Sequence, residues 1–184
     1  MRKIQLLSML ALFAFVCCLG AQAQSAGNVF GGYTFLRQGS GAPHLNGWNA
    51  QLEGRVIPHL SAVVEASGNL GSENASSSFV GLLNKIDYSR VNFYAGPRVS
   101  MRIGRFRPFA HVMLGISHLD TKFRYNIGSS LESKGTDFST LTGGGVDTRI
   151  LPHVDWRNQI DLVSTKNGDM KNEFRYTTGI AVRF

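Results

Sequence analysis

Five histidines and a scatter of serines carry the most obvious chemistry in this 184-residue chain. A histidine and a serine two apart on one strand face would let the imidazole take the hydroxyl proton, as nucleophilic hydrolysis requires. His59-Leu60-Ser61 has that spacing, but it falls at a tight turn. Ser117 and His118 are adjacent, so on a strand they point to opposite faces. His111 shares a face with Met113 and Ser117, which suits a hydrogen-bonded side chain better than a base. His44, His59, His118 and His153 lack the spacing of metal ligands. Gly143-Gly144-Gly145 has no Lys-Ser/Thr after it, as a phosphate-cradling loop would. The expectation is a protein that is not an enzyme, with no catalytic residue, cofactor or metal.

A second constellation is ionic. Glu53, Glu65, Asp147, Asp155 and Asp161 fall on the same strand faces as Arg55, Arg90, Arg98, Arg149, Arg157, Arg175 and Arg183. Signs so nearly balanced can share an enclosed space without leaving a charge unpaired. Gln51, Asn92 and Gln159 would fill the gaps.

The elements that position these groups are legible from a period of two. Trp48, Ala50, Leu52, Gly54 and Val56 alternate with Asn49, Gln51, Glu53 and Arg55. Phe174, Tyr176, Thr178, Ile180, Val182 and Phe184 alternate with Arg175, Thr177, Gly179, Ala181 and Arg183. Such segments are strands with one polar and one apolar face, whereas a helix would mix the two sets. Further strands are expected near 28–36, 60–69, 89–100, 108–118, 138–149 and 154–164. Short and long connections alternate between them, as antiparallel hairpins with short turns at one end require. An internal echo marks two of the short turns: Glu53-Gly-Arg55-Val-Ile-Pro58-His59-Leu60 and Asp147-Thr-Arg149-Ile-Leu-Pro152-His153-Val154. The long connections, 70–88 and 119–137, are expected as loops where an extracellular ligand could bind. The first holds a polar low-complexity run, Ser72 to Ser78, and the second is mildly basic through Lys122, Arg124 and Lys134.

The net charge of +7 would by itself suggest an acidic partner. Position dissolves that suggestion. Arg2 and Lys3 precede an apolar run from Ile4 to Gly20, and Ala21-Gln22-Ala23 has the small-x-small form of a signal cleavage site. The expected domains are a signal peptide, 1–23, and a barrel, 24–184. Removing the signal leaves 17 Lys+Arg against 12 Asp+Glu without a block of like charge, so no nucleic-acid partner is expected. Cys17 and Cys18 leave with it, which precludes disulfides and thiolate ligands. Arg102, Arg105 and Arg107 form the densest basic cluster, in an expected short turn.

The apolar faces carry essentially no charge, which a lipid-facing surface requires, since a basic residue at the bilayer midplane costs about 2–4 kcal/mol. Tyr33, Phe35, Trp48, Phe93, Phe174, Tyr176 and Phe184 lie toward strand ends on those faces, where aromatic girdles would sit. The chain ends Thr177-Thr-Gly179-Ile-Ala-Val182-Arg-Phe184, and the positions Thr177, Gly179, Val182 and Phe184 resemble the C-terminal signal read by the outer-membrane assembly machinery. The region after the signal resembles the small outer-membrane β-barrel family that includes the OmpA transmembrane domain and OmpX. Phe93-Tyr-Ala-Gly96-Pro97-Arg98-Val99 and Gly143-Gly-Gly145-Val146-Asp147 also look like members of that family.

That resemblance implies an all-β, eight-stranded antiparallel up-and-down transmembrane barrel in the outer membrane of a diderm bacterium. Both termini would be periplasmic. Outer-membrane lipids, lipopolysaccharide and the assembly machinery would be its partners, and its role would be structural or in surface interaction. The periplasmic peptidoglycan-binding domain that often follows such barrels is not expected here. A lipid A modifying enzyme, a narrow gated pore and a secreted soluble ligand-binding barrel are the alternatives.

Overall fold

The structure is a computed structural model and describes residues 27–37, 44–74, 83–125, 130–167 and 169–184. The segment 1–23, with Ala21 and Ala23, lies outside them. Eight strands follow in order: β1 (Asn28–Arg37), β2 (Leu45–Ile57), β3 (Leu60–Asn74), β4 (Leu83–Ser100), β5 (Phe106–Tyr125), β6 (Ser130–Leu151), β7 (Val154–Asn167) and β8 (Asp169–Arg183). Each pairs antiparallel with the next, and β8 pairs with β1 to close the barrel. Closure removes both sheet edges, so the backbone groups of the wall are satisfied by neighbouring strands.

The short connections share one end. Pro58-His59 joins β2 to β3 and Pro152-His153 joins β6 to β7. The echoed sequence builds the same device twice, since the register slips between Arg55 and Ile57 and again between Arg149 and Leu151. His59 takes a positive φ of 72°, the left-handed conformation that closes so tight a turn. In the third short connection Ile103 and Phe106 exchange backbone hydrogen bonds of 2.8 and 3.0 Å, and Gly104 supplies the φ of 60° between them. At the same end Gly27 and Phe184 exchange two backbone hydrogen bonds of 3.1 Å.

At the other end the expected loops 70–88 and 119–137 are largely strand. The β3–β4 ladder continues from Leu70↔Ser89 to Asn74↔Lys85, and β5–β6 continues from Leu119↔Gly135 to Arg124↔Ser130. The apolar-out pattern of the wall stops near residues 70 and 119, where charged residues enter both the β3–β4 and the β5–β6 segments, while the ladder itself needs only backbone. The period therefore reports where one face stops being apolar, not where pairing stops. Among the described pairs, β6 meets β7 only as far as Ser139↔Thr165, so the β5–β6 ribbon projects beyond that wall.

Burial alternates with the strand period. On β7, Asp155, Arg157, Gln159, Asp161 and Val163 are buried while Trp156, Ile160 and Leu162 are exposed. Charged residues of the wall point inward and most apolar residues outward, apart from a buried apolar set that includes Val163.

Candidate functional site

The interior is an ion-pair lattice. Near the short-turn end, Glu53 of β2 accepts from Arg98 Nη1 at 2.8 Å, Asn28 Nδ2 at 2.8 Å and Arg157 Nη2 at 3.3 Å. Asp147 of β6 accepts from Arg157 at 2.7 and 2.9 Å and from Arg107 at 2.7 and 3.1 Å. The Gln51 side-chain oxygen receives both Arg98 and Arg157, at 2.7 and 2.8 Å. Phe109 lies 4.3 Å from the Arg98 guanidinium carbon and 5.0 Å from that of Arg157, so aromatic faces cover cations that water cannot reach.

Farther up, Asp161 accepts from Arg175 at 2.7 and 3.0 Å and from Gln159 at 2.8 Å, and Arg175 also pairs with Glu65. His111 bridges the two halves. Its Nδ1 lies 3.3 Å from Arg98 and its Nε2 lies 2.9 Å from Asp161. A guanidinium only donates, so Nδ1 accepts and the proton on Nε2 is given to Asp161. Beyond Asp161 an apolar cluster of Leu36, Leu45, Val63, Tyr94, Met113, Leu141 and Val163 packs within the barrel. Past it along β5 and β7, Arg90 reaches Ser117 and Thr165 at 2.7 Å each and pairs with Glu173.

Of the expected lumen residues, Glu53, Glu65, Arg98, Asp147, Arg157, Asp161 and Arg175 meet in this lattice, and Arg183 pairs with Asp155 at 2.8 Å near the rim. Arg55 and Arg149 do not join. Arg55 is exposed and Arg149 half-buried: each still pairs in register, with Ser61 and Asp155, just before its strand slips beside a turn, so they stand at the rim and not within the lattice. Arg107 and Glu173 take their place. Both have the correct parity, with Phe109 and His111 or with Arg175, and a strand begun at residue 106 or 173 would have included them. Six arginines and six carboxylates thus pair among the described residues, so the lattice is neutral. The apolar cluster and the lumen-facing Phe30 and Phe109 were missed because each reads as a lone break in a polar face.

Gly143 and Gly145 face inward on β6. A Cβ at Gly143 would meet the Asp161 carboxylate and the Ile160 carbonyl, and one at Gly145 would meet the Asn158 carbonyl and the Phe109 ring. The triplet therefore makes room for the lattice. Ser61 is buried and His59 exposed, with no hydrogen bond between them among the described contacts. Ser117 serves Arg90 inside, while His118 faces out and meets Thr136 at 2.7 Å.

The outer face carries no Asp, Glu, Lys or Arg at its outward positions from 29 to 35, 46 to 56, 62 to 70, 91 to 99, 106 to 116, 138 to 148, 154 to 162 and 174 to 184. Among the described residues twenty-eight large apolar side chains stay exposed, an area soluble monomers rarely leave bare. Outward polar groups bond one another: Tyr176 Oη and Thr178 Oγ1 donate to Asn158 at 2.8 and 3.0 Å, and Trp156 Nε1 donates to Thr178 at 3.0 Å. In the terminal pattern, Thr177 bonds Thr34 inside at 3.2 Å, Gly179 lies against the Gly31–Gly32 backbone, and Val182 and Phe184 face outward.

Comparison with protein-family models and with curated proteins finds no match. Solved structures do match in fold. Ail, the attachment invasion locus protein of Yersinia pestis, solved with the heparin analogue sucrose octasulfate, aligns at a TM-score of 0.64 and 18% identity over 88% of this chain and 100% of Ail. Neisserial surface protein A aligns at 0.65 and 13% identity over 88% of this chain and 98% of its own. The outer membrane protein OprG from Pseudomonas aeruginosa aligns at 0.62 and 11% identity, covering 87% and 96%. Closed topology, ion-paired interior and charge-free exterior together give this chain the fold of the small eight-stranded outer-membrane β-barrels.

Proposed function

We propose that the chain is an integral outer-membrane barrel of a diderm bacterium, not an enzyme, with a structural or surface-interaction role in adhesion or envelope integrity. The carrying observation is the inversion of an ordinary soluble protein. The charges are inside and paired, and the outside is apolar and uncharged. A soluble ligand-binding barrel would reverse these faces. Eight strands leave an interior only wide enough for side chains, and here side chains occupy it, so the lattice is a plug rather than a channel.

In this reading the export signal of residues 1–23 is cleaved after Ala23. The short turns and both termini face the periplasm, and the β3–β4 and β5–β6 hairpins project outward. Outer-membrane lipids and lipopolysaccharide surround the wall, and the terminal Thr177, Gly179, Val182 and Phe184 present the chain to the assembly machinery. Ail was solved with a heparin analogue, which makes sulfated polysaccharide a reasonable first ligand to test on the segments 70–88 and 119–137.

The test is fractionation followed by SDS gels of heated and unheated samples. An outer-membrane protein whose mobility changes on heating is expected. Recovery entirely in the soluble fraction would overturn the reading.

A further inference from the structure

We propose that the short-turn rim holds a binding site for the phosphate of an anionic phospholipid headgroup, centred on Arg55 and Arg102. A cavity of about 190 Å³ opens there, lined by Arg55, Pro58, His59, Ser61, Ser100, Arg102 and Arg107. It contains guanidinium, imidazole and hydroxyl groups and no carboxylate, a donor set suited to phosphate oxygens. Arg107 is already neutralised by Asp147, so the cationic capacity rests with the exposed Arg55 and Arg102, neither of which has an ion pair among the described contacts.

The echoed turn provides an internal comparison. Arg55 stands opposite Ser61 across the β2–β3 ladder, and its counterpart Arg149 stands opposite Asp155 across β6–β7. One copy of the same turn thus carries a carboxylate where the other has a hydroxyl. In the carboxylate copy Asp155 is spoken for by Arg183; the hydroxyl copy has no carboxylate at that register position, and it is the copy that lines the cavity.

The collar around the opening favours a lipid over free phosphate. Val56, Ile57, Val99, Met101 and Ile103 are 55–64% exposed beside it. Apolar side chains next to cationic donors reproduce the boundary between acyl chain and headgroup.

This inference rests on the membrane reading above, and the two can fail separately. Purified full-length protein, shown to be folded by its heat-dependent mobility, is titrated in non-ionic detergent with short-chain phosphatidylglycerol, short-chain phosphatidylcholine and inorganic phosphate, and bound species are counted by native mass spectrometry. Loss of the mobility shift in the wild type sinks the membrane reading before any lipid is added. Phosphatidylglycerol is expected to bind about tenfold more tightly than phosphatidylcholine, the scale of one or two charge-assisted hydrogen bonds. Arg55→Gln/Arg102→Gln should abolish that preference, Arg55→Lys/Arg102→Lys should keep most of it, and Arg37→Gln on the opposite rim should leave it intact. Equal binding of the two lipids, or an unchanged preference in the glutamine pair, overturns the proposal. Displacement of phosphatidylglycerol by an equal concentration of inorganic phosphate overturns the lipid assignment in favour of the free anion.

Discussion

Replacing Arg157 by methionine tests the lattice at its most connected point. Arg157 is fully buried, gives two hydrogen bonds to Asp147 and one each to Gln51, Glu53 and Asn28, and lies near the Phe30 and Phe109 rings. Methionine keeps much of the volume and removes the charge. Asp147 then retains Arg107 alone, Glu53 retains Arg98 with Arg107 at 3.6 Å, and the enclosed set carries one uncompensated negative charge. Breaking a buried pair in this way costs about 3–5 kcal/mol. Adding Asp147→Asn restores neutrality, so the double variant should be less destabilised than the two singles together by about 1.5–3 kcal/mol, the scale of charged hydrogen bonds and of coupling between touching residues. Equilibrium urea unfolding in lipid micelles, read by the fluorescence of Trp48 and Trp156 and by gel mobility, measures all three. A single-variant cost below about 1 kcal/mol, or strict additivity in the double, would refute the claim that the interior acts as one charge-balanced unit.

Three other outcomes are expected. Val112→Arg, midway along the outward face of β5, should lower stability in bilayers by about 2–4 kcal/mol, while the same substitution at Asn46 near the rim should cost about 0–1 kcal/mol; equal costs would mean that the outer face does not meet hydrocarbon. Deleting Phe184 removes the backbone pair with Gly27, and the heat-modifiable outer-membrane fraction should fall in cells; normal insertion would count against the terminal signal. Planar-bilayer recordings should show no channel steps for wild type, and steps would contradict a plugged lumen; a gate made of ion pairs would instead reveal itself as conductance in Arg98→Ala.

Much of this arrangement was legible in the chain, and the illegible parts share a cause. β2 and β8 could be written down residue by residue, because hydrocarbon on one side and an ion-paired lumen on the other impose strict alternation. The hairpin extensions past Leu70 and Leu119 read as loops because their charged residues break the apolar-out pattern by which the other strands are found. Arg55 and Arg149 have the parity of the interior and pair in register with Ser61 and Asp155, but parity does not tell that the strand has reached the rim. Arg107 was counted as a turn residue because the third short connection is tighter than the spacing of charges around it suggests. Met113 shares the inward face of His111 and Ser117, but the buried Leu141 and Val163 do not stand out, since an apolar side chain inside a barrel looks the same in sequence as one at an imperfect alternation.

The lattice also constrains how the molecule can be made. Several of its pairs join strands that are not consecutive: Glu53 on β2 needs Arg98 on β4, Glu65 on β3 needs Arg175 on β8, and Arg90 on β4 needs Glu173 on β8. A curved sheet of seven strands would therefore hold Glu65 and Arg90 without their counterions, in contact with whatever medium surrounds it. Only the arrival of β8 resolves both at once. In a barrel that spans a bilayer, insertion one hairpin at a time would leave these charges without partners, which favours closing the β8 seam together with entry.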